Sequence, residues 1–314
     1  MSVVTESLKG RSFTKLADWS RAELEAVLDL ADELKRARRE GDEPQLLGGR
    51  TIGLLFLKPS TRTRVSFAAG IAQLGGTALS FSADELQLAR GETIRDTAAV
   101  LSRYIEGIVI RTFAQADIEE FAQHASIPVI NALTDVAHPC QILADLMTIR
   151  ERRGRLEGLK LVYLGDGNNV CASLLVGAAS FGMHAIAATP AGYGPPERAI
   201  AVARERADAS GGSVALTDDV RAAARDADVL YTDVWTSMGQ EAENERRLRD
   251  LAGYGIDAAL LQEAGKQALV LHCLPAHYGE EITEEVVYGP QSAVFDEAEN
   301  RLHTQKALLA LIVP

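Results

Sequence analysis

The chain has 314 residues, 47% of them hydrophobic, and a formal net charge of −12. That length is comfortable for two domains, no run approaches the ~20 apolar residues of a membrane span, and the negative balance argues against general nucleic-acid binding. Cys140, Cys171 and Cys273 form an odd, widely spaced set that is neither a disulfide framework nor a metal-ligand pattern. Together with an N-terminus, Met1-Ser-Val-Val-Thr-Glu, that lacks a basic segment followed by an apolar one, they point to a reducing cytoplasm.

In chain order, Ser20-Arg-Ala-Glu23 is a capping-box pattern before a helical face of Leu24, Val27, Leu28, Ala31 and Leu34. The run 51–57 has strand length, and Val65, Ala68, Ala69, Ile71 and Ala72 then repeat at helical spacing as far as Gly75-Gly76. Between them stand Ser60, Thr61, Arg62, Thr63 and Arg64. Hydroxyls, guanidinium groups and free backbone amides thus gather at a helix N-terminus, which favours anions and suits a phosphate. The alternative is an ordinary capped, solvated helix start.

A strand over 77–81 leads into a polar loop, 82–92, that contains Gln87 and Arg90. A helix over 93–104, a buried strand over 107–111 that ends in Arg111, a helix over 116–124 and a strand over 127–131 follow. Pro139 at a first helical position makes His138 a cap, and Gln141 lies one turn along the same helix start. The charged end of that helix, Arg150-Glu-Arg-Arg-Gly154, marks the domain boundary, giving domains over 1–150 and 151–297. The second half begins again with a strand over 160–164, the turn Gly165-Asp-Gly-Asn-Asn169 and a helix to about Phe181. Strands over 184–188, 213–216, 229–232 and 268–272 alternate with helices over 196–209 and 218–226 and two further helical stretches, and the last helix covers 298–312. The alternation implies parallel βαβ units, so the fold class is α/β with two doubly wound parallel-sheet domains.

Ligands in such sheets sit at the carboxyl ends of the strands. Those ends carry Ser60 to Arg64, Arg111, and His138 with Gln141 in the first half, and Asn168, Asn169, Asp233, Ser237 and Cys273 in the second. Each alone has a plain reading: a surface ion pair for Arg111, a cap for His138, an inert buried thiol for Cys273. The turn at Gly165 has two of the three glycines of a dinucleotide fingerprint. Val170 fills the third place, and no acidic residue stands at the next strand end, which disfavours a nicotinamide cofactor.

As a set, Ser-Thr-Arg-Thr-Arg, His-Pro-Cys-Gln, Asp-x-Trp-x-Ser-Met-Gly and His-Cys-Leu-Pro, in this order and across essentially the whole chain, resemble the aspartate/ornithine carbamoyltransferase family. The last two motifs point to its ornithine branch. The resemblance implies that Ser60, Thr61, Arg62 and Thr63 bind the phosphate of carbamoyl phosphate, that Arg111 bridges phosphate and carbamoyl oxygen, and that His138 and Gln141 polarise and orient the carbamoyl group. It implies that Arg301 adds positive charge from a last helix, 298–314, that folds back onto the first domain. Gln87 would reach the site of a neighbouring subunit, which implies a homotrimer with active sites at subunit interfaces. On the acceptor side, Asp233 and Ser237 would hold the α-ammonium of ornithine, and Asn169 and the backbone at Met238 the α-carboxylate. Cys273 and Leu274 would line the passage between the δ-amine and the carbamoyl carbon, touching carbamoyl phosphate as well. Arg62, Arg111, His138 and Cys273 form the implied catalytic group, with no metal and no cofactor.

The implied reaction gives citrulline and phosphate, in arginine biosynthesis or, with the same chemistry, in citrulline breakdown. Rival readings are a carbamoyltransferase for putrescine or an acylated ornithine, and a non-catalytic phosphate-binding paralogue. The Asp233 to Gly239 loop speaks against the first, and the complete motif set against the second.

Overall fold

The computed structural model describes residues 6–82 and 85–314. Every strand pairing is parallel, as the alternation of strand-length apolar runs and helices requires. Contacts divide the chain into two compact units, Met1–Ala144 with Asn300–Pro314, and Asp145–Glu299.

The first unit holds β1 (Thr51–Phe56), β2 (Thr77–Ser82), β3 (Gly107–Arg111) and β4 (Val129–Leu133), in the order β2-β1-β3-β4. β3 and β4 are buried along their whole length, as strands covered on both faces must be, whereas edge strand β2 is half-exposed. Helix α1 (Arg21–Arg39) starts on the expected Ser20–Glu23 capping box. Helices α2 (Thr61–Gln73), α3 (Ile94–Leu101), α4 (Gln115–His124) and α5 (Pro139–Arg153) follow the strands. Ile105, Ile108, Ile110, Ile118, Phe121 and Val129 build a core cluster between the sheet and its helices.

The second unit holds β5 (Lys160–Leu164), β6 (His184–Ala188), β7 (Ser213–Thr217), β8 (Val229–Thr232) and β9 (Leu269–His272), in the order β7-β6-β5-β8-β9. Helix α6 (Asn169–Ser180) is buried at every residue from Val170 onward, which its run of Ala, Val, Leu, Gly and Ser permits. Helices α7 (Glu197–Ser210), α8 (Val220–Ala224), α9 (Asn244–Asp250), α10 (Ala258–Ala264), α11 (Glu284–Val287) and α12 (Val294–Ile312) complete the chain.

Both sheets reverse direction once. The chain steps outward from β1 to β2 and returns to the other side of β1 for β3. It steps outward from β5 through β6 to β7 and returns to the other side of β5 for β8. The gaps at the carboxyl ends of β1 and β3, and of β5 and β8, are therefore topological switch points. Phe56 pairs with Arg111 across the first and Leu164 with Thr232 across the second. A register shift at Ile110/Arg111 pairs Arg111 with Leu133, skipping a residue of β4 beside the first switch point.

Several element bounds differ from the sequence reading, among them a helix that ends at Leu101 rather than 104 and one that covers Val220–Ala224 rather than 218–226; two of the differences have a plain physical cause. β4 begins at Val129 rather than at residue 127, because Pro128 has no amide to give the ladder; its carbonyl accepts from the Ile108 amide at 3.0 Å. The last helix begins at Val294, four residues before the apolar pattern suggests. Its first turns bury Glu297, Asn300 and Arg301, so apolar spacing is a poor guide there. Its later part belongs to the first unit, as expected: Lys35 Nζ donates to Asn300 Oδ1 at 2.6 Å and Lys306 Nζ to Gln73 Oε1 at 3.1 Å. Among the described residues, no helix is long and apolar enough to cross a membrane.

Candidate functional site

At the switch point of the first unit, Ser60 leaves β1 with extended backbone, and its hydroxyl accepts from the Thr63 amide at 3.3 Å. The cap reading and the anion reading are compatible. The capping bond uses a hydroxyl lone pair and leaves the hydroxyl proton for a ligand, and the amides of Thr61 and Arg62 precede the first intrahelical bond. Thr61 and Arg62 are exposed, whereas Thr63 is fully buried. Arg301, from α12, donates to Thr63 Oγ1 at 2.5 Å and to Gln141 Oε1 at 3.0 Å. A buried guanidinium thus joins the α2 and α5 starts, which lie far apart in sequence. The His138 carbonyl accepts from the Gln141 amide at 3.1 Å, which makes His138 the backbone cap of α5.

Arg111, His138, Gln141 and Arg301 are all buried. Burial, then the charges of Arg301 and Arg111, push the His138 imidazole well below its usual pKa, so it is neutral near pH 7. A neutral imidazole can donate one N–H to a carbonyl oxygen without adding charge to a site already rich in cations. Burial also pushes the neighbouring Cys140 thiol up to about 12, and its Sγ–H points at the Asn131 carbonyl, 3.3 Å away. It is a packing residue. Lys58, just before the motif, is 4% exposed, pairs with Asp135 at 2.8 Å and lies 4.8 Å from the centre of the Phe113 ring.

At the switch point of the second unit, Asn168 caps α6, its Oδ1 accepting from Val170 and Cys171 at 2.9 and 3.1 Å. Its Nδ2 donates to Asp233 Oδ2 at 2.7 Å, and Cys273 Sγ lies 3.0 Å from Asp233 Oδ1 as donor. The Asp233 carboxylate is therefore aimed by residues from the ends of two other strands. Burial and the nearby Asp233 charge hold the Cys273 thiol well above its usual pKa. Cys273 is thus a hydrogen-bond donor here, not a thiolate nucleophile.

Arg247 braces the loop that follows Asp233. Its guanidinium pairs with Asp166 at 2.8 Å and donates to the Trp235 carbonyl at 3.1 Å. Trp235 in turn packs on Gly165: a Cβ there would lie 3.2 Å from the indole nitrogen, and the glycine holds a φ of +118°. Behind Cys273, the His272 amide donates to Glu297 Oε2 at 2.9 Å, and the Leu274 amide to His272 Nδ1 at 2.8 Å. Leu274 itself has a φ of 58°, a left-handed conformation that costs a branched residue free energy and is common at functional sites.

Of the residues that the sequence assigns to the anion, Thr63, Gln141 and Arg301 are joined by hydrogen bonds, and the charges of Arg301 and Arg111 act on His138; Cys273 and Leu274 lie in the second unit. Gln87 is exposed in a 3-10 turn, Gln87–Arg90, and its side chain makes no hydrogen bond among the described residues. Asp233 and Cys273 meet; Ser237 is half-buried and Met238 exposed on the same loop. Asn169 is the first residue of α6, and its neighbour Asn168 contacts Asp233. Lys58 could have been suspected from its place just before Pro59-Ser60. Arg247 and Glu297 carry no motif and become legible only through their contacts.

Two family models match in tandem: aspartate/ornithine carbamoyltransferase, carbamoyl-P binding domain, over residues 11–151, and the Asp/Orn binding domain over residues 157–312. The chain is 55% identical over 307 residues to an ornithine carbamoyltransferase of Symbiobacterium thermophilum, covering 98% of this chain and 99% of that one. It is 53% identical over 308 residues to the enzyme of that name from Oceanobacillus iheyensis, covering 98% and 96%. The structure of ornithine carbamoyltransferase from Pyrococcus furiosus superposes with a TM-score of 0.95 at 49% identity, covering 98% of each chain.

The depressed His138 pKa makes a testable statement about stability. The unfolded chain takes up this proton near 6.5 while the folded one resists it, so stability conferred by neutral His138 is full above that pH and declines below it. Urea midpoints measured from pH 8 to 5 should fall below about pH 6.5, and His138→Gln should flatten that part of the curve. An identical decline in both proteins would contradict the assignment.

Proposed function

The chain belongs to the aspartate/ornithine carbamoyltransferase family, and we propose from that premise that it transfers the carbamoyl group of carbamoyl phosphate to the δ-amine of L-ornithine, giving L-citrulline and phosphate. The observation that carries this reading is the opposite polarity of the two switch-point sites. The first unit offers Arg62, Arg111, Arg301 and a helix N-terminus to an anion. The second offers Asp233, fixed between Asn168 and Cys273, to a cation. Carbamoyl phosphate is the anion, and ornithine presents the ammonium.

The domain over 1–150 with 298–314 takes carbamoyl phosphate and the domain over 151–297 takes ornithine; they correspond to the first and second compact units, whose boundaries fall at Ala144/Asp145 and Glu299/Asn300. Ser60, Thr61, Arg62 and Thr63 take the phosphate; Arg111 spans phosphate and carbamoyl oxygen. Neutral His138 donates to the carbonyl, and Gln141, held by Arg301, orients the carbamoyl nitrogen. In the acceptor site Asp233 and Ser237 take the α-ammonium, and Asn169 and the Met238 backbone take the α-carboxylate. Cys273 and Leu274 form the wall beside the reacting atoms.

The neutral δ-amine attacks the carbonyl carbon, from a reacting distance of about 3–3.5 Å. Negative charge grows on the carbonyl oxygen, where Arg62, Arg111 and His138 stabilise it. The carbon–oxygen bond to phosphate breaks, and a phosphate oxygen accepts the amine proton. No general base from the protein is needed, so positioning and preorganised charge carry the acceleration. Gln87, exposed and without a side-chain hydrogen bond among the described residues, reaches the carbamoyl phosphate site of a neighbouring subunit in a homotrimer. The three free cysteines suit a cytoplasmic protein.

Both the acceptor and the shared-site assignments can be tested. In an acceptor panel scored by phosphate release, ornithine should exceed putrescine by at least about tenfold in kcat/KM, or about 1.4 kcal/mol, because putrescine has no carboxylate for Asn169 and the Met238 amide. Asp233→Asn should raise the KM for ornithine and leave carbamoyl phosphate binding nearly unchanged. Equal use of putrescine or aspartate would refute the acceptor assignment and leave the carbamoyl phosphate half standing. For the shared site, mixing Gln87→Ala subunits with Arg62→Ala subunits should restore part of the activity, since some hybrid sites receive neither change. A fully active monomer in sedimentation at assay concentration would rule that out.

A further inference from the structure

We propose that His277 Nδ1, a Glu280 carboxylate oxygen and Glu281 Oε2 form a binding site for a divalent transition-metal cation of the zinc or cobalt type. The three residues lie in the second unit, on the loop that follows β9. Their candidate ligand atoms all lie within 4.8 Å of one another. His277 Nδ1 is 3.7 Å from Glu280 Oε2 and 3.9 Å from Glu281 Oε2. Nitrogen and oxygen ligands at usual zinc distances stand about 3.4 Å apart around a tetrahedral ion, so shifts of about half an ångström bring the His277 nitrogen to that spacing from each carboxylate oxygen.

The buried member argues that the grouping is more than surface acidity. Glu281 is fully buried. Its Oε1 accepts from the His277 amide at 2.6 Å and lies 3.0 Å from His272 Nε2. Its Oε2 is buried too, and no hydrogen bond reaches it. A buried carboxylate oxygen without a donor is costly, and this one faces the imidazole nitrogen of His277. A cation held between them would supply the missing partner. The loop geometry keeps the groups together: the Glu280 amide donates to the His277 carbonyl, and the Gly279 amide to the Ile282 carbonyl, both at 3.0 Å. One imidazole and two carboxylates suit a zinc-like ion better than magnesium or calcium, which favour all-oxygen shells.

The site also has a built outer shell. His272 Nδ1 accepts from the Leu274 amide, so in the neutral imidazole the proton is on Nε2 and is donated to Glu281 Oε1. Hydrogen-bonded carboxylates of this kind commonly orient metal ligands. A cation at Glu281 would therefore bear on His272 and, through it, on the backbone of Cys273 and Leu274.

One other trio of potential ligands exists among the described residues, Asp233, His272 and Cys273, so the test is made in Cys273→Ser protein. Co²⁺ alone is titrated in, followed by equilibrium dialysis and by the visible absorption of the bound ion. A saturable site is expected, weakened at least about tenfold by adding His277→Ala and likewise by adding Glu280→Gln. Both substitutions fall on exposed or half-exposed side chains, and circular dichroism checks that the fold is kept. Saturable binding that neither substitution weakens would overturn the proposal, as would an absence of saturable binding at millimolar Co²⁺.

Discussion

The carbamoyl phosphate half depends on one buried guanidinium. Arg301 reaches from the last helix to Thr63 at the start of α2 and to Gln141 at the start of α5. It fixes two helix starts that both face the first switch point, and it adds charge where water is largely excluded. The formal charge of −12 makes such a cluster necessary. Magnitudes show why a local arrangement prevails. A close ion contact at about 4 Å is worth roughly 4 kcal/mol at an effective dielectric of about 20, whereas exposed acidic groups farther away than the Debye length of about 8 Å are largely screened. His138 stays neutral first because it is buried and then because a further positive charge beside Arg301 and Arg111 is disfavoured.

The acceptor half solves the inverse problem with the same topology. Here the switch point holds a carboxylate, aimed by an amide donor from Asn168 and a thiol donor from Cys273. Its loop is held from behind by Arg247 through Asp166 and the Trp235 carbonyl. Glu297 serves strand β9 in a related way. Burial and the neighbouring Asp145 push its carboxyl well above the usual range, and it accepts from both the His272 amide and the Tyr231 hydroxyl. These supporting groups touch no substrate in the proposed mechanism. They set the positions of those that do, which is what catalysis by preorganisation requires.

Much of this was legible in the sequence because its signals are local. Strand-length apolar runs fixed the extent of β3, β5, β6 and β8, and the Ser60 to Arg64 motif stands between a strand and a helix, where an anion site belongs. Legibility stopped where contacts are non-local or where polar residues occupy core positions. The start of α12 was hidden because Glu297, Asn300 and Arg301 take buried places that apolar periodicity does not count. Arg247 and Glu281 are ordinary charged residues in the sequence and gain meaning only from Asp166 and His272, 81 and 9 residues away. Asn168 and Asn169 were both visible as candidates, but the sequence could not say that Asn168 donates to Asp233.

The central claim, that Arg301 organises the carbamoyl phosphate site, is tested most directly by calorimetric titration of Arg301→Gln with carbamoyl phosphate. Loss of one charge-assisted contact of about 1.5–3 kcal/mol predicts binding weakened by roughly ten- to a hundredfold, with the circular dichroism spectrum unchanged. Binding within about twofold of wild type in a folded variant would contradict the account.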